Sequence, residues 1–445
     1  MHMKEPVHTI IDQGHTMFEK ILIHTDLSEM SEKLVACADS IRNVKEVVLL
    51  HIVHNGDVTL REREDTERQQ ALIRTPAITV RCIAEGYNGD GIPAAILKTA
   101  EAEKPSLIIM GARKGLLSKT LLGHGGTEVL TRSRTHVLIM RFPGQGLFAA
   151  HPHKTEEPLF SRILFPLDFS RPANEALKTV GRIGGISEII LLHVVRKTEN
   201  EDRMNLVARE VEKRLLDARE KIKADCPEIS VTMMVRFGDP TNQIAAVADE
   251  EEITLVMMSR YGKMDYIRKV PLGTTTSKVT AQITKPVLVM FTRIQLEIHA
   301  RELTTSEFYL AEKIWFDYHQ TKSDPEHDRI FAVFIEDTPV SVARCKRHDD
   351  GYEVDGIFTW EEFRGNGYAR NALDVLIREC GNTVLTMYAV LHLVDFYASF
   401  GFVPVPEKDL PLTVRERYSW ALGDMKGADV CPMKRQPARE NDTAG

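Results

Sequence analysis

The sequence lacks any apolar run that approaches the roughly 18 residues needed to span a membrane. Its first 17 residues, which include His, Glu and Asp, also lack the apolar core of a secretory signal peptide. The formal net charge is −7, and no cluster of basic residues offsets it. A membrane protein, a secreted protein and a nucleic-acid-binding surface are therefore not expected.

Closely spaced cysteines are absent as well. The six cysteines are scattered along the chain without a Cys-x-x-Cys. This favours reduced thiols in the cytoplasm over a disulfide framework or a zinc site. His151 and His153 flank a proline, but two histidines without further ligands are too few for a metal site. We expect a cytoplasmic protein that holds no metal.

The chain is long enough for several folded domains. Its 445 residues correspond to about three domains at roughly 150 residues each. Hydrophobic residues make up 43% and charged residues 27%, as is typical of globular proteins. The composition therefore predicts several separate cores.

Two parts of the chain repeat one another. The segment from Phe18 to Ser28 is echoed by the segment from Phe160 to Ser170, and 46–53 by 188–195. Later apolar runs correspond in the same way, 107–111 to 255–259 and 136–140 to 286–290. The repeating unit is as large as a domain, which excludes a solenoid module.

Each copy has the pattern of an open, doubly wound α/β sheet. Runs of Val, Ile and Leu without polar alternation predict parallel strands that are covered on both faces. Helical patterns such as 28–40 and 204–224 lie between them. We place these domains at 17–143 and 159–293, with a polar linker containing Gly and Pro at 144–158.

The two copies resemble the universal stress protein (Usp) family over most of 17–293. The likeness rests on a first strand ending in Asp-x-Ser, a Leu-Leu-His strand, Gly238-Asp239-Pro240 before a helix, and the final Pro286-Val-Leu-Val. The resemblance implies a pseudo-symmetric pair of such folds within one chain. A homodimer is left open.

In the nucleotide-binding branch of that family, an Asp after the first strand holds adenosine, and a glycine motif holds the phosphates. The resemblance implies that Asp26 and Asp168 hold adenosine; the alternative is that they are helix N-caps or turn residues. It also implies that ATP or another adenine nucleotide contacts Gly111, Gly115 and Gly123 in the first copy and Gly262, Gly273 and Thr274 in the second.

The family's glycine motif is Gly-x-x-Gly, followed after a gap of nine residues by Gly and then Ser or Thr. Both copies depart from this motif. In the first copy Lys114 replaces the second glycine, Gly123 comes one residue early, and His124 replaces the hydroxyl residue. In the second copy Ser259 replaces the first glycine, and the gap is one residue longer. We expect the bulkier Lys114 and Ser259 to narrow the approach of a phosphate to the backbone amides; the alternative for Lys114 is that its charge compensates.

After Thr292 the repeat ends and aromatic residues become frequent. The patterns predict a helix, a hairpin, a strand at 352–359, a helix, a strand, a helix and a final strand. Between the third strand and its helix lies the loop 363–369, which contains Gly365 and Gly367. Such a loop before a helix N-terminus offers free N–H groups to an anion, although glycines there can also serve packing.

Arg364-x-x-Gly367-x-Ala369 resembles the Arg/Gln-x-x-Gly-x-Gly/Ala motif of the GNAT acetyltransferases. The likeness covers roughly the last third of the chain and implies an α+β acyltransferase domain at 294–435, followed by a polar, disordered tail at 436–445. It implies that backbone amides bind the pyrophosphate of acetyl-CoA, with these residues as ligands: Arg364, Gly365, Asn366, Gly367, Tyr368 and Ala369.

The resemblance also implies two aids to acetyl transfer. A strand amide at Ile357, Phe358 or Thr359 would polarise the thioester carbonyl. The segment 395–402 is similar to the family's Phe-Tyr-x-x-x-Gly-Phe, which implies that Tyr397 protonates the leaving thiolate. The alternative for Tyr397 is a core aromatic residue.

Two carboxylates are candidates for the general base. Glu353 and Asp355 share one face of the predicted strand by period-2 alternation, so either could take the amine proton through water. The alternative is that both are ordinary solvent-facing residues. Cys345 and Cys380 lie in this domain, but no Cys–His arrangement is visible in the sequence, so direct attack by the amine is preferred.

The sequence thus predicts an acetyl-CoA-dependent N-acetyltransferase that acts on an amino-acid amine or a protein lysine. A tandem Usp module that binds an adenine nucleotide would regulate it. The alternative is a non-enzymatic stress-response protein whose GNAT domain only binds CoA or supports assembly.

Overall fold

The computed structural model describes residues 17–54, 59–87, 91–112, 123–141, 157–196, 201–268, 270–293, 295–316, 321–417 and 430–437. The chain divides into two compact units, Met1–Ile294 and Gln295–Gly445. Most of the predicted linker and tail, together with Lys114, Gly115, His151 and His153, lies outside the described residues.

Ten strands of the first unit form one sheet in the order β3-β2-β1-β4-β5-β10-β9-β6-β7-β8. The strands are β1 Lys20–Thr25, β2 Glu46–His54, β3 Thr79–Tyr87, β4 Leu107–Gly111, β5 His136–Met140, β6 Arg162–Pro166, β7 Glu188–Val195, β8 Ser230–Phe237, β9 Leu255–Ser259 and β10 Val287–Met290. The helices are α1 Glu29–Ala36, α2 Leu60–Gln70, α3 Gly91–Glu103, α4 Gly123–Arg132, α5 Arg171–Leu177, α6 Glu201–Asp225, α7 Pro240–Glu250, α8 Lys263–Ile267 and α9 Thr274–Gln282.

The sheet is palindromic about one antiparallel seam. The strands within each copy pair in parallel, whereas β5 and β10 pair antiparallel, with Leu138 opposite Leu288. This confirms the predicted doubly wound sheets and the pseudo-symmetric pair.

The sheet is covered on both faces because its strands are apolar throughout. In β1, the side chains of Ile21 and Ile23 belong to one core and that of Leu22 to the other, and all three are fully buried. Each such side chain contributes about 1.5–3 kcal/mol on burial. The absence of polar alternation in the sequence is therefore explained by cores on both faces.

The second unit contains a seven-stranded sheet in the order β11-β12-β13-β14-β15-β17-β16, in which only β14 and β15 pair in parallel. The strands are β11 Ile298–Glu302, β12 Asp328–Ile335, β13 Thr338–His348, β14 Gly351–Thr359, β15 Leu385–Val390, β16 Val403–Pro404 and β17 Val430–Arg435. The helices are α10 Phe308–Trp315, α11 Tyr368–Cys380 and α12 Val394–Ala398.

Two strands of this sheet were not predicted. β11 has the sequence Ile-His-Ala-Arg-Glu, whose polar residues give no clear alternation. β17 contains Pro432, which argues against a strand in sequence reasoning, yet it pairs with both β15 and β16. Tertiary pairing overrides the local preference in both cases. No helix in the described part of the chain is long and apolar enough to cross a bilayer.

Candidate functional site

The site begins where β14 separates from β15. The two strands pair only at Tyr352–Leu385 and Glu353–Thr386. Beyond these pairs β15 continues along β17, whereas β14 continues along β13 alone. Within the described part of the chain, one edge of β14 therefore has no strand partner over its second half, and the predicted residues Ile357, Phe358 and Thr359 lie there.

A β-bulge in β14 lies at the start of this separation. Val342 pairs with Phe358 but Arg344 pairs with Asp355, so Gly356 and Ile357 together oppose one residue of β13. Gly356 has φ +59°, a left-handed conformation that favours glycine. Such a bulge bends its strand and locally disrupts the ladder.

Trp315 of α10 supports the bulge. Its indole N–H donates a 2.7 Å hydrogen bond to the carbonyl of Gly356, and the ring is fully buried. A Cβ on Gly356 would lie 2.9 Å from the ring carbon Cζ2, so no side chain fits there. The geometry of β14 therefore depends on glycine at 356 and on Trp315, neither of which the sequence analysis identified.

The loop 364–369, called the donor loop below, connects β14 to α11. Gly365 and Gly367 have φ +78° and +80°, and a Cβ on either would meet nothing within 4 Å. Glycine is needed here for backbone conformation and not for packing. The packing alternative is thus not supported, and the space next to both glycines is open.

The amide groups of the donor loop are available to a ligand. Gly367 caps α11 without a side-chain hydrogen bond. Among the described residues, no hydrogen bond engages the backbone N–H groups of 365–369. Free amides and the helix dipole both favour an anion. The loop therefore has the features of an anion site, and its binding of a pyrophosphate stays a prediction.

Side chains hold the donor loop in place. The Arg364 Nε donates to the carbonyl of Thr359 at 3.1 Å, and its guanidinium lies 5.3 Å from the Phe358 ring centroid. Asn366 Nδ2 donates to the carbonyls of Phe363 and Arg364 at 3.1 and 3.2 Å. These contacts are made by side-chain nitrogens with backbone carbonyls, so they leave the backbone N–H groups of the donor loop unused.

Tyr397 lies in α12 and is buried, with 6% of its surface exposed. Its ring packs edge-on against Phe396 at 5.1 Å. Arg370, in the first turn of α11, lies over the rings of Phe396 and Phe400 at 5.5 and 4.9 Å. The segment with Tyr397 therefore packs beside the start of α11, and its catalytic role stays a prediction.

Glu353 and Asp355 share one face of β14, as predicted, because both bind Arg417. Glu353 accepts hydrogen bonds from Arg417 at 2.6 Å and pairs with His348 Nε2 at 2.9 Å. Asp355 accepts two 2.7 Å hydrogen bonds from Arg344. Both carboxylates lie within an ion-pair network and are not solvent-facing residues.

The network extends across three strands. Arg344 on β13 also donates to Asp328 on β12 at 3.1 Å, and both side chains are almost fully buried. Burial acts to raise the pKa of Asp355, but Arg344 and Arg417 outweigh it and hold that pKa below its usual range. The two guanidiniums keep Asp355 ionised, which makes it a weak base.

Asp26 and Asp168 occupy equivalent turns in the first unit. Oδ1 of each accepts hydrogen bonds from the hydroxyl of the serine two residues later, Ser28 or Ser170, at 2.6 Å. These serines are the N-caps of α1 and α5. The geometry therefore shows Asp26 and Asp168 as turn residues, and their binding of adenosine stays a prediction.

In the second copy, carboxylates of the chain itself accept hydrogen bonds from backbone amides that are expected to bind phosphate. The backbone N–H of Lys263 donates to Asp168 Oδ2 at 3.0 Å. Thr274 donates to Asp265 through its N–H at 2.8 Å and its hydroxyl at 3.1 Å. Gly262 and Gly273 cap α8 and α9 beside them. A phosphate would have to displace Asp265.

In the first copy, Gly111 ends β4 and Gly123 begins α4. A Cβ on Gly111 would lie 3.1 Å from Leu34, so this glycine serves packing. Gly115 lies outside the described residues. The structure does not test whether these glycines form a phosphate site.

Comparison with known proteins identifies two protein families in this chain. The universal stress protein family model matches residues 17–141 and 159–290. The acetyltransferase (GNAT) family model matches residues 291–402. The chain therefore contains two Usp domains followed by a C-terminal GNAT domain.

Individual relatives are similar to parts of the chain. A universal stress protein of Synechocystis is 31% identical over 29% of this chain and 80% of its own length. One from Methanocaldococcus jannaschii is 28% identical over 30% of this chain and 95% of its own. The structure of the ribosomal-protein-S18-alanine N-acetyltransferase of Escherichia coli is 16% identical, covering 33% of this chain and 98% of that one, with a TM-score of 0.25.

The ion-pair network gives a stability prediction. Replacing Arg344 by Met leaves Asp355 and Asp328 without their shared cation, so we expect the second unit to lose about 3–5 kcal/mol of unfolding free energy at pH 7. Urea unfolding followed by tryptophan fluorescence measures this, because Trp315, Trp360 and Trp420 all lie in that unit.

The same variant should change the pH dependence. The pKa of Asp355 is lower in the folded protein than in the unfolded chain, where it is about 4. The ionised carboxylate therefore stabilises the folded wild type above about pH 4, and this stabilisation is lost as the pH falls through the pKa of Asp355 in the folded protein. Arg344→Met should therefore lose less stability below about pH 4 than the wild type. Arg378→Met, at an exposed position on α11, is the control and should cost under about 0.5 kcal/mol. Equal costs for both variants would contradict the account.

Proposed function

This chain belongs to the universal stress protein family, and we propose that its GNAT domain is an acetyl-CoA-dependent N-acetyltransferase. The acceptor is a primary amine, of an amino acid or a protein lysine. One observation carries the proposal: the free amides of 365–369 lie a few residues after the part of β14 that, among the described residues, pairs with a strand on one edge only. This arrangement can bind a pyrophosphate and present an amide to a thioester carbonyl.

The backbone would position and polarise the donor. The donor-loop amides would bind the pyrophosphate of acetyl-CoA, which supplies the acetyl group as a thioester. An amide at Ile357, Phe358 or Thr359 would donate a hydrogen bond to the carbonyl oxygen as negative charge develops there. A donor of this kind contributes about 2.7–4 kcal/mol to stabilising the transition state.

Side chains would move the protons. The Tyr397 hydroxyl would protonate the leaving thiolate. For the amine proton we favour Glu353 over Asp355. Both carboxylates accept a hydrogen bond from Arg417, but Glu353 also contacts His348, whose imidazole can pass on a proton, whereas Asp355 is held by a second guanidinium, that of Arg344. A water would connect Glu353 to the amine.

Thiol release from acetyl-CoA over a panel of amino acids, polyamines and lysine peptides tests the activity. Tyr397→Phe removes the proton donor, so we expect kcat to fall about 100-fold while the KM for acetyl-CoA changes little. Tyr309→Phe is the matched control, because Tyr309 is 63% exposed on α10 and should leave kcat unchanged.

Two outcomes would argue against this function. Full kcat in Tyr397→Phe would remove that residue from the mechanism. Tight CoA binding without turnover on any acceptor would support the alternative, in which the domain only binds CoA or supports assembly.

We further propose that the second Usp domain binds an adenine nucleotide and regulates acetyl transfer in the cytoplasm. Asp168 would contact adenosine. The amides of Lys263 and Thr274 would contact the phosphates once Asp168 Oδ2 and Asp265 release them. Asp265 competes for the Thr274 amide, so the domain would bind nucleotide only when Asp265 moves away. All six cysteines are free, which is consistent with a reducing compartment.

Asp265→Asn should strengthen ATP binding by about tenfold, because it removes a charge that competes with phosphate. Isothermal titration of ATP into the full-length protein measures this. Asp217→Asn, an exposed position on α6, is the control and should leave the affinity unchanged.

A second experiment compares the rate of acetyl transfer without nucleotide and with ATP, AMP or cyclic AMP. Weaker binding in Asp265→Asn, or identical rates under all conditions, would refute the regulatory proposal.

A further inference from the structure

Two buried thiols meet at the end of α11 that lies away from the donor loop. Cys345 is on β13, and Cys380 is the last residue of α11; they are 2% and 5% exposed. The two thiols share a hydrogen bond that either sulfur can donate. A helix of 13 residues separates this pair from the donor loop by about 20 Å.

A fixed cation lies against one of the two sulfurs. Arg329 Nη1 is 3.3 Å from Cys380 Sγ. The same guanidinium is held by Glu302 through hydrogen bonds of 2.7 and 2.6 Å, and Arg329 pairs with Cys345 across β12 and β13. The cation cannot move away without breaking these contacts.

The surroundings distinguish the two thiols. The hydrogen bond with Cys345 and the charge of Arg329 lower the pKa of Cys380, although burial acts against them. The hydrogen bond with Cys380, together with burial, raises the pKa of Cys345. Because Arg329 lies against the Cys380 sulfur, Cys380 has the surroundings of an attacking cysteine and Cys345 those of a resolving one.

Both cysteines line a cavity of about 300 Å³. It is lined by Cys345 and Cys380 together with Arg329, Arg347, His327 and Tyr352. Arg329 and Arg347 are exposed, so the cavity opens to solvent, whereas the two cysteines lie buried in its wall. The volume admits hydrogen peroxide or a small alkyl hydroperoxide.

We propose that Cys345 and Cys380 form a dithiol site that reduces hydroperoxides and becomes a disulfide. The Cys380 thiolate attacks the terminal oxygen of ROOH, the O–O bond breaks, and Cys380 becomes a sulfenic acid while ROH leaves with a proton. Cys345 then attacks the Cys380 sulfur and displaces water. Two thiols and one ROOH thus give one disulfide, one ROH and one water, with two electrons passing to the peroxide.

The test treats the reduced full-length protein with one equivalent of hydrogen peroxide, blocks the remaining thiols and maps the cysteines by mass spectrometry. We expect a Cys345–Cys380 disulfide as the main product. Cys345→Ser should stop at a sulfenic acid on Cys380, which dimedone traps. Arg329→Gln should slow the reaction at Cys380 by about tenfold, since the thiolate loses its cation.

Cys226→Ser is the control, because burial raises the pKa of that thiol and it lies in the first unit. It should leave the rate unchanged. Far-ultraviolet circular dichroism checks that each variant is folded, because all three tryptophans lie in the second unit and Cys226 lies in the first. If a variant does not fold, the order of alkylation in the wild type decides: Cys380 should react before Cys226. Oxidation spread evenly over the cysteines, or no dimedone adduct on Cys380, would overturn the proposal.

Discussion

The contact between Trp315 and Gly356 is the constraint on which the candidate site depends. Glycine at 356 allows β14 to adopt a left-handed residue, and the indole fills the space that a side chain would need. The resulting bulge, at Gly356 and Ile357, follows closely on the last pair between β14 and β15, at Glu353. Without it the parallel ladder could continue, and the edge of β14 next to the donor loop would be occupied by hydrogen bonds of the sheet.

The ion-pair network complements this contact from the other side of the bulge. Arg344, beside Trp315 at 5.1 Å, connects Asp328 on β12 to Asp355 on β14. The three strands are thereby held in register just before the bulge. Glu353 and Asp355, the two carboxylates that the sequence offers as bases, are in part structural because both bind Arg417. Of the two, Glu353 is the proposed base because it also contacts His348.

The parts of the fold set by local pattern could be predicted from the sequence. The apolar strands of both Usp domains and the donor-loop glycines each follow from backbone or burial requirements of nearby residues. Long-range partners could not be predicted in this way. Nothing near Gly356 indicates Trp315, nothing near Cys380 indicates Cys345, and the occupation of the Thr274 amide by Asp265 follows from how two helices pack.

The central claim is that the donor-loop amides bind the pyrophosphate of CoA. Isothermal titration of CoA into the wild type and into Gly367→Ala tests it most directly, because the second protein must strain a backbone at φ +80° to keep the loop. Such strain costs about 1–3 kcal/mol, so we predict an affinity lower by about tenfold. Equal affinities, with both proteins folded, would contradict the claim.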